Sequence, residues 1–123
     1  MSWNAAVATV LSLALGAWML FDGARALRTG EYTTRRSEPY AGQLGPWAGV
    51  VMRIGIDPRS TAMMILFVVS GFAWLALAAG LAFGTAGILP IAIVLALATL
   101  WYVPIGSAIA LLVLVLVGAE ILG

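Results

Sequence analysis

Ten of the eleven charged side chains lie between Asp22 and Arg59, and the exception is Glu120. Two long stretches, 1–21 and 60–123, are thereby left with almost nothing to wet a protein surface. Of the 123 residues 63% are hydrophobic and 9% are charged, whereas soluble domains carry about 25% charged residues. A soluble fold of this size has no means of covering so much apolar surface, so lipid is the expected solvent. The expected class is an all-α integral membrane protein folded as a single transmembrane domain, 1–123.

The first apolar run, 3–22, is long enough to cross about 30 Å of hydrocarbon at ~1.5 Å per residue. It lacks a basic segment before it, and the arginines follow it, which argues against a cleaved signal peptide. Asp22, Arg25 and Arg28 recur at three-residue spacing. The helix is therefore expected to overrun the bilayer by a turn or two and stop at Gly30. A short helix near 46–54 opens on Pro46 and carries Trp47, Val50, Val51 and Ile54 on one face, which suits a helix lying in the membrane interface. Asp57-Pro58 is read as a cap and first helical position, starting a second span over 59–83. The last apolar run is too long for one crossing. Pro104-Ile105-Gly106 divides it into spans at 88–103 and 106–122, each short of the full core thickness. A kinked or re-entrant hairpin is the alternative.

All six arginines fall in the connection between the first two spans, and there is no lysine. The positive-inside rule puts the polar loop, 22–58, on the cytoplasmic side, with both termini outside if there are four spans. The expected location is the bacterial cytoplasmic (inner) membrane.

Chemistry is sparse. The chain has no cysteine and no histidine, which excludes thiolate chemistry and the commonest ligand for zinc and haem. No cofactor is expected, and a net charge of +1 argues for no nucleic acid. Asp22-Gly23-Ala24-Arg25 does not amount to the aspartate–glycine–alanine–arginine element of CDP-alcohol phosphotransferases. No further aspartate for the two metal ions follows before Asp57. Glu120 is the one ionisable residue in the last half. It is either a proton or cation site or an interfacial, hydrated acid. Arg28, Arg35, Arg36 and Arg53, with Trp47, are candidate contacts for an anionic lipid or an acidic partner. Arg53 and Asp57, like Asp22 and Arg25, are candidate ion pairs. Small residues at four-residue intervals, Ala8, Ser12 and Gly16 in the first span and Ala76, Gly80 and Gly84 in the second, let backbones approach, either within the chain or between chains.

These features favour a non-enzymatic accessory or scaffold subunit of a larger membrane complex. It would dock through its arginine-rich loop and small-residue helix faces, with membrane lipid and other membrane subunits, or a second copy, as partners. One alternative is a small homo-oligomeric channel or transporter for a proton, cation or small solute, using Glu120. Another is a lipid-phosphate-handling membrane enzyme.

Overall fold

The computed structural model describes residues 2–30, 47–58, 60–102 and 105–122. Among them there are five helices and no strand: α1 (Trp3–Thr29), α2 (Trp47–Arg53), α3 (Thr61–Ala82), α4 (Ile88–Ala98) and α5 (Ile105–Leu122). Two of these, α1 and α3, are long and apolar enough to cross a membrane, by length and composition.

Each boundary has a local cause. The Ser2 hydroxyl accepts from the Ala5 amide and caps α1, and Gly30, at φ 83°, ends it. The helix thus continues past the span at 3–22 to Thr29, as the charge spacing predicts, through the turns that hold Asp22, Arg25 and Arg28. The start of α3 corrects the sequence reading. Its cap is Ser60, whose hydroxyl accepts from Met63 N, and not Asp57. Asp57 and Pro58 precede the helix in a turn closed by Ser60 N–H to the Asp57 carbonyl at 3.0 Å. Serine and aspartate cap almost equally well, so the choice rests on which residue takes extended backbone before the first helical turn.

The α3–α4 connection is a Schellman turn. Thr85 N–H reaches back to the Gly80 carbonyl at 2.9 Å and Gly84 N–H to Leu81 at 3.3 Å, with Gly84 at φ 63°. That left-handed backbone requires a residue without a Cβ penalty. The next helix, α4, ends at Ala98, five residues before the expected 103. Its backbone tightens into three-residue turns, Thr99 to Ala96, Leu100 to Leu97 and Tyr102 to Thr99. The Thr99 hydroxyl meanwhile bonds the Leu95 carbonyl.

The four longer helices form a ring in the order α1, α3, α4, α5, with α5 closing on α1. Neighbours run antiparallel. Gly16 meets Gly71 and Leu75, Leu20 meets Gly71, and Gly23 meets Phe67 and Val68. Along α5, Ser2 meets Glu120 and Trp18 meets Tyr102. At ~1.5 Å per residue, α1 and α3 measure about 40 and 33 Å, but α4 only about 16 Å. The α4–α5 turn therefore stands well short of the end of the α1–α3 pair. Beneath it sits Trp47 of α2, with its ring 4.8 Å from that of Phe67.

Candidate functional site

Several polar side chains in the described helices close on the fold's own backbone or on each other. Thr9 and Ser12 each donate to the carbonyl four residues back, at 2.7 Å. The Trp74 indole N–H donates to Thr99 Oγ1 at 3.1 Å, tying α3 to α4 in the core. The Trp18 indole N–H donates to the Tyr102 hydroxyl at 2.7 Å, tying α1 to the turn before α5. Ser107 Oγ donates to the Leu100 carbonyl across the same turn. This is the economy an apolar solvent demands, because an unsatisfied donor cannot turn to water.

At the end of the bundle that carries α2, four aromatic rings share one cluster. Phe67 lies 5.7 Å from Trp101 and 5.2 Å from Tyr102, both edge-on, and Trp47 meets each of that pair at 6.1 Å. Trp47 of α2, Trp101 and Tyr102 of the turn before α5, and Phe67 of α3 are therefore brought together. Asp22 is buried at the same end, at 4% exposure.

The candidate arginines divide. Arg28 stands exposed in the last turn of α1, and Arg53 exposed in the last turn of α2. Both positions suit cations, which complement the negative end of a helix dipole. Arg35 and Arg36 lie outside the described residues. Asp57 is exposed in the turn before α3.

Glu120 sits at the opposite end. Its Oε2 accepts from the Ser2 hydroxyl at 2.7 Å, and that same hydroxyl caps α1. One serine thus joins the first helix to the last acid of the chain. Ser2→Ala removes both interactions and is expected to lower stability by about 1–2 kcal/mol. Ser2→Thr keeps both and should stay within about 0.5 kcal/mol. Thermal unfolding in detergent compares them, and equal losses in the two variants would show that the hydroxyl contributes nothing.

The small residues also divide. Ser12 and Gly16 are buried in the α1–α3 seam. A Cβ on Gly80 would meet the Ile88 side chain at 2.5 Å, so Gly80 packs against the start of α4. Ala76 is exposed, and Gly84 serves the turn, with nothing within 4 Å of a built Cβ. Sequence reading missed Gly23 and Gly71, which with Gly16 make the closest backbone approaches between α1 and α3. The available signal was the seven-residue spacing of Gly16 and Gly23, two helical turns on one face.

Among the described residues, no three His, Cys, Asp or Glu side chains gather where they could hold a metal ion. No protein-family model, curated protein or solved structure matches this chain.

Proposed function

We propose that the chain is a small non-enzymatic membrane subunit, an accessory or scaffold component of a larger assembly in the bacterial cytoplasmic membrane. It crosses the bilayer four times as a single domain, with the 22–58 loop on the cytoplasmic side and both termini outside. It docks on neighbouring subunits or lipid through the arginine-bearing end and its outer helix faces.

The observation that supports this reading is how the side chains are distributed. Val10 and Leu13 on α1, Val69 and Phe72 on α3, Val94 on α4 and Leu112 and Val115 on α5 all face outward, while Ser12, Trp18 and Trp74 find their hydrogen-bond partners within the bundle. An outer surface of that kind is stable against lipid or protein and costly against water. The short α4 is followed by an aromatic contact, Trp101 against Trp47 of α2, of the kind that suits a membrane interface.

Gentle detergent extraction followed by native mass spectrometry tests the subunit reading. The expected result is co-extraction with larger membrane proteins, and a homo-oligomer alone would count decisively against it. Topology has its own test. Reporters fused near Tyr40 and after Gly123 should land on opposite sides of the membrane. A C-terminal reporter in the cytoplasm would refute four spans. Transport through Glu120 is the competing function. Ion or proton flux into liposomes that Glu120→Gln abolishes would replace the subunit reading with it.

A further inference from the structure

The turn that follows α2 holds apolar side chains away from the bundle. Sequence periodicity puts Trp47, Val50, Val51 and Ile54 on one face of this helix. In the structure the inward face is Trp47, Ala48 and Val51, and Ile54 stands on the outside at 71% exposure. Met52 and Ile56 are exposed on either side of it, and Arg53 is exposed beside them.

Ordered backbone holds these residues in place. The Ile56 N–H reaches the Val51 carbonyl at 3.0 Å and the Gly55 N–H reaches the Met52 carbonyl at 3.1 Å, the paired bonds of a Schellman turn. Gly55 takes φ 86°, which glycine adopts without strain. Val51, at the root of the turn, is buried in the core. Met52, Ile54 and Ile56 therefore project from a fixed frame. Three large apolar side chains set outward within five residues make a surface that is costly against water.

The level of α2 in the fold indicates what covers that surface. The Trp47 ring rests on Phe67, six residues after the start of α3 and so about 9 Å along it. Across the seam Phe67 meets Gly23, six residues before the end of α1. On α1 this is the level at which Phe21 gives way to Asp22, Arg25 and Arg28, the change met on passing from hydrocarbon to headgroups. Near it on α3, Ile65 and Leu66 are also exposed. A short helix with one face on the bundle, apolar side chains on its free side and an arginine at its end suits a lipid interface. The arginine stem can lie along apolar surface while its guanidinium stays among the phosphates.

We propose that Met52, Ile54 and Ile56 insert into the boundary between headgroups and acyl chains of the loop-side leaflet, with Arg53 at the phosphate level. The turn after α2 is thereby a lipid anchor for the polar loop. The proposal rests on the membrane reading above but not on the identity or presence of a protein partner.

Site-directed spin labelling tests it. The chain has no cysteine, so one introduced cysteine takes one label in the full chain. Met52→Cys, Ile54→Cys, Val69→Cys and Arg28→Cys are labelled and reconstituted into vesicles of phosphatidylcholine and phosphatidylglycerol. Collisions with oxygen, which concentrates in lipid, are compared with collisions with a water-soluble nickel chelate. Val69, exposed midway along α3, is the lipid reference, and Arg28, exposed at the end of α1, is the aqueous one. All four side chains are exposed, so a label displaces no packed group. The oxygen-to-nickel ratio at Met52 and Ile54 should exceed that at Arg28 several-fold and fall below that at Val69. A ratio no higher than that at Arg28 overturns the proposal. Low access to both reagents at Met52 and Ile54 also overturns it, because a second copy of the chain would then cover the turn. A low ratio at Val69 as well would overturn the membrane reading itself, which separates the two failures.

Discussion

Gly71→Ala is expected to lower stability by about 2–3 kcal/mol. Overpacking a close contact costs about 1–3 kcal/mol, and the cost depends on what must move. At Gly71 a Cβ would lie 2.5 Å from the Leu20 backbone nitrogen and 2.8 Å from its Cα. Backbone on the facing helix cannot swing aside as a side-chain tip can, so α1 and α3 must separate along their length. That separation would loosen Gly16 and Gly23 as well, since both meet α3 at 2.8–2.9 Å. Lipid is as apolar as the bundle interior, so helix association depends on van der Waals fit more than on a hydrophobic drive. Lost contact is then poorly compensated. Gly118→Ala on α5 is the control, because nothing lies within 4 Å of a Cβ there and only helix propensity changes, by about 1 kcal/mol at most in favour of alanine. Unfolding of both variants in the same detergent decides the point. A Gly71→Ala protein as stable as Gly118→Ala would mean that the α1–α3 seam can open at no cost.

The same comparison explains how much of the fold could be read in advance. Apolar length and the position of charge mark the helical segments well, because both are summed over many residues. The overrun of α1 to Thr29 was legible from the charge spacing and from Gly30. Fine boundaries were less so. Asp57 and Ser60 are both competent caps, and tertiary packing chose the second. Nothing in the local sequence of Leu97, Ala98 and Thr99 breaks a helix, so α4 was expected to continue to 103. It ends early where Trp101 and Tyr102 turn toward Phe67 and Trp47, residues distant in the chain. The small-residue pattern was a partial guide for a related reason: it marked Ser12, Gly16 and Gly80, which pack within the chain, but not every close approach. Regular four-residue spacing points to Ala76 and Gly84, but a seam between crossing helices uses the few positions where the axes come nearest. Those are Gly16, Gly23 and Gly71. The lone acid Glu120 stands out by its isolation, while the sequence offers Asp22 only as a candidate ion partner of Arg25 and marks neither Asp22 nor Tyr102 as buried. Their burial depends on the ring of helices around them, which no local window contains.

Phe67 is where that long-range assembly can be tested most directly. Its ring is fully buried and touches Trp47 of α2 together with Trp101 and Tyr102 of the α4–α5 turn. The four long helices contact one another directly, but α2 makes no close backbone approach to any of them. Its attachment to the described helices therefore runs through side chains, the Trp47 ring foremost, with Ala48 and Val51 buried in the same core. Phe67→Ala removes the surface on which that ring rests and leaves a cavity between three elements. In water-soluble cores such a change costs about 3–5 kcal/mol. Here about 2–3 kcal/mol is expected, because the transfer contribution shrinks where lipid replaces water and the packing contribution remains. The aromatic pairs add about 0.5–1.5 kcal/mol of geometry-dependent attraction that Phe67→Leu also loses while still filling most of the space. The two variants thus separate volume from ring geometry. Both should leave α1–α3 packing at Gly16 and Gly71 untouched. Quenching by a water-soluble agent reads the detachment of α2 in variants that keep Trp47 as the sole tryptophan, the other four replaced by phenylalanine in every protein compared. Trp47 is buried in the intact protein, so quenching should rise in Phe67→Ala and rise less in Phe67→Leu. If Phe67→Ala unfolds at a lower temperature while Trp47 remains as protected as before, α2 is held by something other than this cluster, and the aromatic end of the bundle is a packing unit without a docking role for the loop.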